Sequence, residues 1–385
     1  MTSPTYILIC PECGEHFDPA KPQTYCHACN SPILAQYDLS ALSRLLKRDE
    51  IARRQRGMWR WRELLPGQDY SAVVTLGEGD TPLLHLEKIG SNLHLSHLFV
   101  KDEALNPTGS FKARGMAAAV SRVVELGIRE FVIPTAGNAG GALAFYAGRA
   151  GCKAHVYMPS DTPAPIQTEV KMSGADLHLV DGLISDAARL ATAAAAEHGW
   201  FDVSTFKEPY RVEGKKIMGY ELAECLGWEL PDVIIYPTGG GTGLVGMWKA
   251  FDEMEALGWI DSRRPRMVSV QSDGCAPVVR AFQNSTERVE FWQNASTIAA
   301  GLRVPSVFAD RLVLRCLHQS KGTAVSVPDE EILQAQSELA EQEGIWAAPE
   351  GAAPLAALKK LIKTGWCNLD EKIVLFNTGS GLKYI

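Results

Sequence analysis

Residues 106–116, Asn-Pro-Thr-Gly-Ser-Phe-Lys-Ala-Arg-Gly-Met, place one lysine where a turn meets a helix. Asn-Pro and Thr-Gly are typical of turns, Gly109 can take a positive φ, and Ser110 is a favourable N-cap for the run that follows. Lys112 then falls in the first helical turn, where the helix dipole disfavours a cation by up to about 1 kcal/mol. That penalty vanishes when the amine is neutral or condensed with an aldehyde, as it is in a lysine used for covalent catalysis.

The elements around this lysine alternate between strand and helix. Apolar, β-branched runs predict strands at 98–101, 130–134, 154–158, 177–180, 233–236, 267–271, 324–327 and 372–376. Helical patterns predict helices at 139–150, 184–198, 213–226, 244–257, 329–343 and 351–363, and a basic helical region at 38–65. This alternation predicts an α/β fold with a mostly parallel sheet and helices on both of its faces.

The composition excludes several classes of protein. With 385 residues the chain is long enough for two or three domains. A net charge of −7 argues against a nucleic-acid partner. No apolar run approaches the roughly 18 residues that span a bilayer, so no membrane partner is expected. The first residues lack the basic region of a secretion signal, and we expect a cytoplasmic protein.

Four of the nine cysteines are concentrated near the N-terminus as two CxxC pairs. Cys10 and Cys13 form the first pair, and Cys26 and Cys29 form the second, 12 residues later. Each pair can direct two thiolates at one tetrahedral zinc ion, and four thiolates leave no open position. The pattern predicts a structural zinc site, with a redox or empty site as the alternative. The other five cysteines occur singly, as expected of free thiols.

Three more predicted strand ends carry loops rich in glycine, serine or threonine, at 134–141, 237–243 and 377–383. Open α/β sheets bind ligands outside the carboxyl ends of their strands. One run of backbone N–H groups could converge on a phosphate at a helix start: Gly239, Gly240, Gly241, Thr242 and Gly243. Residues 241–246 also form a GxGxxG pattern, so a nicotinamide dinucleotide is a rival ligand. The dinucleotide would leave the lysine turn and two loops without a role.

One small cofactor, pyridoxal 5′-phosphate, uses all four segments. Lys112, beside Phe111, would form a Schiff base with its aldehyde, and the glycine run would hold its phosphate. Asn138 could bond the ring hydroxyl, and Thr378 could reach the pyridine nitrogen. Because a hydroxyl cannot hold that nitrogen protonated as a carboxylate would, elimination and replacement are favoured over transamination. The substrate carboxylate is expected at the backbone of Thr135, Ala136, Gly137 and Asn138.

These four segments resemble those of the fold-type II (tryptophan synthase β-like) pyridoxal-phosphate enzymes. Within that group the chain is most similar to the threonine synthases, and the likeness runs from end to end. The segments that carry this closer likeness are Gly77-Glu-Gly-Asp-Thr-Pro-Leu83, Pro209-Tyr-Arg-Val-Glu-Gly-Lys215 and the four-cysteine segment.

The resemblance implies a fold, an activity and an assembly. The fold would have two doubly wound αβ domains, with a zinc ribbon at 1–37, a catalytic region at 38–385 and a smaller αβ subdomain at about 113–208. The activity would be conversion of O-phospho-L-homoserine and water to L-threonine and phosphate. Lys112 would be both the Schiff-base lysine and the acid/base group, and the protein would be a homodimer.

Two residues depart from the threonine synthase pattern. Ala113 stands where these enzymes usually have Asp, and Glu208 stands where they usually have Asn. Arg211 is the natural partner of a substrate phosphate, and Glu208 would oppose that anion unless it points away. Because Ala113 also occurs in threonine/serine ammonia-lyases, an ammonia-lyase or a β-replacement enzyme is one alternative. A non-catalytic amino-acid-binding regulator is another, against which an intact Lys112 argues.

Overall fold

The computed structural model describes residues 6–67 and 69–385. The strands are β1 (Tyr6–Ile9), β2 (His16–Phe17), β3 (Leu34–Tyr37), β4 (Leu83–His85), β5 (Leu98–Asp102), β6 (Glu130–Pro134), β7 (Lys153–Pro159), β8 (Asp176–Val180), β9 (Phe201–Asp202), β10 (Val233–Pro237), β11 (Arg266–Ser272), β12 (Thr323–Val327) and β13 (Ile373–Asn377). The helices are α1 (Leu39–Leu45), α2 (Arg48–Ala52), α3 (Glu87–Asn92), α4 (Lys112–Glu125), α5 (Asn138–Arg149), α6 (Ala164–Met172), α7 (Ile184–His198), α8 (Arg211–Cys225), α9 (Thr242–Ala256), α10 (Pro277–Gln283), α11 (Asp310–Gln319), α12 (Asp329–Glu343) and α13 (Pro349–Lys363).

The chain folds into two compact units, each assembled from separate stretches. Unit 1 contains the described residues up to Asp80, then Asn106–Ile217 and Asp252–Trp259. Unit 2 contains Thr81–Leu105, Met218–Phe251 and Ile260–Ile385.

Unit 2 is built on a six-stranded sheet in the order β12-β11-β10-β13-β5-β4. Its neighbouring strands run parallel except at the edge, where β4 is antiparallel to β5. Every residue of β10 and β13 is buried. Such uninterrupted burial is typical of central parallel strands that are covered on both faces. One covering helix is α13, which packs against β10 and β13.

Unit 1 contains a four-stranded parallel sheet and a small antiparallel one. The parallel sheet has the order β8-β7-β6-β9, and the small sheet has the order β2-β1-β3. Helix α5 packs against α4 and β7, while α7 packs against β6 and β7. These contacts hold the turns that follow the strands at defined positions on the sheet.

The predicted alternation of strands and helices is confirmed, and several bounds coincide with the structure: strand 130–134 and helices 184–198 and 329–343. The single helical region expected at 38–65 is wrong. It is divided into α1, α2 and a 3₁₀ helix at Met58–Leu64. Gly57 has a φ of +119°, which ends any regular helix, and the N–H of Met58 bonds instead to the Glu78 carbonyl at 2.8 Å. None of the helices in residues 6–67 and 69–385 is both long enough and apolar enough for a bilayer.

Candidate active site

The lysine turn has the predicted course, with one difference at the helix start. Thr108 and Gly109 both have positive φ, +60° and +62°, and α4 begins at Lys112 itself. The predicted N-cap role of Ser110 is wrong. Ser110 is extended, Phe111 precedes the helix without a capping side chain, and only the carbonyl of Ser110 accepts a helical N–H, from Ala113 at 3.2 Å. Two consecutive left-handed residues precede Ser110, and its hydroxyl makes no hydrogen bond to the helix among the described residues.

Two buried polar atoms beside this turn have no hydrogen-bond partner among the described residues. They are the Ser110 hydroxyl and the side-chain oxygen of Asn138. Asn138 is the first residue of α5, and α5 packs against the turn at Pro107–Gly109. Buried polar groups in proteins nearly always make a hydrogen bond. Two buried polar atoms without a hydrogen-bond partner at one place therefore indicate a site for a polar ligand. Asn138 is the residue expected to bond the cofactor hydroxyl, so this side of the site fits that group.

Beside Asn138, the loop from Thr135 to Gly137 has a fixed shape. The Thr135 hydroxyl accepts the N–H of Gly137 at 3.1 Å, and Ala136 is buried. Gly140, one turn into α5, lies so close to the sheet that an added Cβ would be 2.8 Å from the Thr135 methyl. The N–H of Thr135 is donated to the Tyr157 carbonyl at 2.9 Å. The close packing places the rest of this loop at the start of α5, where backbone N–H groups can meet a carboxylate.

A second lysine, Lys215 of α8, lies near Lys112. The Nζ atoms of Lys112 and Lys215 are 4.1 Å and 5.0 Å from the centroid of the Phe111 ring. Lys215 is fully buried, and this burial, together with the charges of Arg211 and Lys112, sets its pKa well below the usual value. Sequence reasoning missed Lys215. The available signal was its spacing of four residues from Arg211, which places both on one face of α8.

Arg211 and Glu208 lie at the N-terminus of α8, and both are buried. Arg211 Nη1 donates to the Val203 carbonyl at 2.5 Å, while its Nε has no hydrogen-bond partner among the described residues. The Glu208 carboxylate accepts the backbone N–H of Tyr210 at 2.7 Å and that of Arg211 at 3.0 Å. Burial raises the pKa of Glu208 to about 7, against the opposing effects of Arg211, these amides and Lys215. Glu208 therefore caps the helix.

Unit 2 supplies the glycine run, between β10 and α9. Gly241 has a φ of +82°, and a Cβ there would lie 2.3 Å from a methyl of Val313. At Gly243 a Cβ would lie 1.9 Å from the Tyr236 hydroxyl. A side chain at either position would have to displace its neighbour, so the loop presents bare backbone at the start of a 15-residue helix and can serve as a cradle. A cradle of this kind fits a phosphate group.

Thr378 lies at the same edge of the unit 2 sheet as the glycine run. It is buried and directly follows β13, which pairs in parallel with β10. The carboxyl ends of β10 and β13 are therefore neighbours. The preceding residue, Asn377, is held by a 2.8 Å hydrogen bond to Asp102 on the next strand, β5. This bond fixes the backbone from which Thr378 extends.

The four N-terminal cysteines converge in unit 1. Sγ of Cys10 is 3.3 Å from that of Cys29, and Sγ of Cys13 is 3.7 Å from that of Cys26. Sulfur atoms bound tetrahedrally to zinc at about 2.3 Å would be roughly 3.8 Å apart. The four thiols therefore lie close enough together to share one four-coordinate ion.

Comparisons with known proteins identify the family of the chain. The family model described as "Pyridoxal-phosphate dependent enzyme" matches residues 74–379. Threonine synthase of Methanocaldococcus jannaschii is 35% identical over 97% of this chain and 92% of that protein. Threonine synthase of Methanosarcina acetivorans is 33% identical over 98% of this chain and 92% of that protein. Threonine synthase of Mycobacterium tuberculosis is 35% identical over 84% of this chain and 87% of that protein.

Solved structures share the fold at lower identity. Maize serine racemase superposes with a TM-score of 0.68 and 24% identity, over 78% of this chain and 88% of that one. The processed form of threonine deaminase isoform 2 from Solanum lycopersicum superposes with a TM-score of 0.68 and 21% identity, over 87% of this chain and 90% of that one. The likeness to these structures shows the α/β fold, and the sequence likeness to the threonine synthases extends along nearly the whole chain. The chain thus belongs to the fold-type II pyridoxal-phosphate-dependent enzymes, as a threonine synthase-like member.

Proposed function

We propose that this enzyme converts O-phospho-L-homoserine and water to L-threonine and phosphate, with pyridoxal 5′-phosphate as its cofactor. The observation that carries the proposal is the likeness to threonine synthases over 97% of the chain, with Lys112 at the first position of α4. Relatives that carry the same name in archaea and bacteria support it.

The likeness to the family indicates which residues would hold the cofactor. Lys112 would attach it covalently beside Phe111, and Asn138 would bond its ring hydroxyl. Thr378 would bond its ring nitrogen, and the cradle of Gly239, Gly240, Gly241, Thr242 and Gly243 would receive its phosphate. When bound, the cofactor supplies an electron sink that makes the protons of an attached amino acid removable.

Lys112 is the group that would move protons. Loss of a phosphate from the γ-carbon requires a proton to be taken from the α-carbon and another from the β-carbon of the substrate. The amine of Lys112 is the base that the lysine turn offers for both transfers. The backbone segment from Thr135 to Asn138 would hold the substrate carboxylate through N–H groups other than those donated to the Tyr157 carbonyl and the Thr135 hydroxyl. This contact would fix the α-carbon with respect to that amine.

The substrate phosphate would bind at Arg211, with Lys215 as a second cation. The Nε of Arg211 is buried and has no hydrogen-bond partner among the described residues, so its N–H can donate to a bound anion without breaking an existing hydrogen bond. The repulsion expected between Glu208 and the substrate phosphate is reduced, because the Glu208 carboxylate faces the backbone amides of Tyr210 and Arg211. Binding an anion near Lys215 favours its protonated form, so the cluster can gain positive charge as the phosphate enters.

The second candidate is a threonine/serine ammonia-lyase, which Ala113 favours. This enzyme would release ammonia and an oxo acid and would not need a phosphate site. One experiment separates the two. Purified enzyme with cofactor is given O-phospho-L-homoserine, L-threonine or L-serine in separate reactions, and phosphate, ammonia and threonine are measured. The synthase predicts phosphate and threonine in equal amounts from the first substrate. Ammonia from threonine, without phosphate chemistry, would establish the lyase, and no turnover would favour a regulator.

Three features beyond the reaction complete the proposal. We propose that Cys10, Cys13, Cys26 and Cys29 hold a structural zinc ion, as their spacing supports. We also propose a homodimer in the cytoplasm, by likeness to the family. Zinc analysis of the purified protein and light scattering of its solution test the first two.

A further inference from the structure

A cluster of histidine and carboxylate groups lies on the sheet of unit 1. His155 of β7 and Asp176 and His178 of β8 each place one possible metal-ligand atom within 4.8 Å of the other two. In the parallel pairing of β7 with β8, His155 is opposite Asp176 and Tyr157 is opposite His178. Because alternate residues of a strand project from one face, the three side chains share a face of the sheet.

The cluster is separate from the candidate active site. Asp176 is the first residue of β8, and His155 is near the start of β7. The cluster therefore lies toward the amino ends of parallel strands. Asn138 follows the opposite, carboxyl end of β6 in the same sheet. None of the residues assigned to cofactor or substrate takes part in it.

His155 is arranged as metal-binding histidines usually are. Its Nε2 lies 3.2 Å from a carboxylate oxygen of Glu130, and the ring is almost completely buried. An N–H donated to Glu130 leaves a lone pair on Nδ1, which is the pattern that a second-layer carboxylate imposes on a metal ligand. Within the described part of the chain Nδ1 makes no hydrogen bond, although it is 3.2 Å from Asp176 Oδ2.

The separation of these atoms fits a shared ion. Nitrogen and oxygen ligands of tetrahedral zinc, bound at about 2.0–2.2 Å, are roughly 3.3 Å apart. The Nε2 atom of His178 is also buried and makes no hydrogen bond among the described residues. The possible ligand atoms of the three side chains all lie within 4.8 Å of one another, so small side-chain rotations would bring them to the tetrahedral spacing.

Neighbouring side chains hold both rings in place. The His155 ring stacks on Trp200 at 3.4 Å, and the His178 ring stacks on Tyr157 at 4.3 Å. Lys153 contacts Asp176 Oδ2 at 2.9 Å, and this contact can persist because a carboxylate has several lone pairs. An ion would therefore meet ligands whose rings are held close to their binding positions by stacking.

We propose that His155, Asp176 and His178 form a metal site for a divalent transition-metal ion of the zinc class. Two imidazoles and a carboxylate are ligands that suit zinc, and water would complete the tetrahedron. Glu130 is the residue that positions His155. Because the ligands come from two neighbouring strands, the bound ion would join β7 to β8 at their amino ends.

Zinc binding to the full-length protein tests this site. After chelator treatment, the protein is titrated with Zn²⁺ and the bound zinc is counted. His178→Ala should bind one equivalent fewer than the wild type. The matched control is His198→Ala, since His198 is an exposed histidine whose ring is 4.6 Å from that of Trp200, and it should bind as much as the wild type. Glu130→Gln should retain the site with zinc affinity about 10–100-fold weaker.

A second measurement separates this site from the cysteines. Co²⁺ is added to protein that already holds zinc, and the visible spectrum is recorded. The protein used here has received only the zinc that His178→Ala can bind, so that the cysteines are filled and the histidine site is open. We expect ligand-field bands without the charge-transfer absorption of thiolates, and we expect His178→Ala to abolish them. The proposal is overturned if the wild type takes up no Co²⁺, or if His178→Ala takes up as much as the wild type. The cluster would then be a histidine hydrogen-bonded to Glu130 beside Asp176.

Discussion

Lys112 is the residue on which the proposed chemistry depends most. Enzyme purified with pyridoxal phosphate should be yellow, and reduction with borohydride should fix the cofactor to this lysine. Lys112→Ala should lose the visible band and the fixed mass, because no other amine begins α4. Absorbance and mass spectrometry measure both effects, and Lys88→Ala, at an exposed lysine, is the control. A wild type that stays colourless with added cofactor would contradict the prediction.

Arg211 decides between the two candidate reactions. Charge-assisted contacts with phosphate contribute roughly 1.5–3 kcal/mol. Arg211→Ala should therefore lower kcat/KM for O-phospho-L-homoserine by about 10–100-fold. Arg211→Lys, which keeps the charge, should lose less. Arg263→Ala, at an exposed arginine, should leave the value unchanged. An equal loss with every substrate would instead indicate a structural role for the buried guanidinium.

Glu208 should make the folded protein less stable as pH rises. Burial raises its pKa from 4.5 to about 7, although the charges of Arg211 and Lys215 act to lower it. Between these values the folded chain retains a proton that the unfolded chain has lost, so stability falls from about pH 4.5 to 7 and then levels off. This contribution amounts to about 3 kcal/mol at most. Glu208→Gln cannot titrate, so urea unfolding at pH 5 and pH 7.5 should show a smaller fall than in the wild type. An equal fall in the free energy of unfolding in both proteins would refute the raised pKa of Glu208.

Some of these residues could be predicted from sequence and others could not. Lys112 could be predicted, because turn residues and a helix start leave a recognisable order of residue types. The role of Glu208 could not, because a helix cap depends on where a carboxylate points. Lys215 was missed for a related reason: its proximity to Phe111 and its complete burial arise from packing, which no local pattern encodes.

At the scale of elements, the loop between β10 and α9 depends on its glycines. Gly241→Ala would force an alanine to a φ of +82° and press its methyl group on Val313. We expect cofactor affinity to fall about tenfold or more, since displaced N–H groups no longer converge on the phosphate. Gly365→Ala is a matched control, because Gly365 has a φ of +71° and open space around it. Fluorescence titration with the cofactor measures both, and equal affinities would show that the loop does not bind it.

The long elements were predicted well, and the short ones were not. Helices α7 and α12 extend over 15 residues each, enough for an apolar period to repeat four times. Strand β9 has two residues and β4 has three, too few for any alternation to be seen. The N-cap expected at Ser110 failed because Thr108 adopts a left-handed conformation, which residue type alone does not predict.

At the scale of the whole molecule, the cysteine segment connects with buried charges in unit 1. Tyr37 at the end of β3 donates to Glu213 at 3.0 Å, and Glu213 lies 2.7 Å from Lys216. Loss of the proposed zinc should therefore destabilise more than the small sheet. We expect Cys29→Ser to lower the thermal midpoint by several degrees while cofactor binding is retained. Cys152→Ser, at a single cysteine, should change neither. Loss of the cofactor in Cys29→Ser would contradict a purely structural zinc.

The interleaved composition of the two units has a consequence for how the chain is synthesised. Lys216 is completely buried between Glu213 and Glu253, and Glu253 belongs to the last stretch of unit 1. A growing chain that has emerged only as far as Ile217 carries this lysine without its second carboxylate. Burying the ammonium in that state would be costly, so unit 1 should stay open until Asp252–Trp259 has left the ribosome. By then most of unit 2 is still unmade, and no single cut in the chain would release either unit intact.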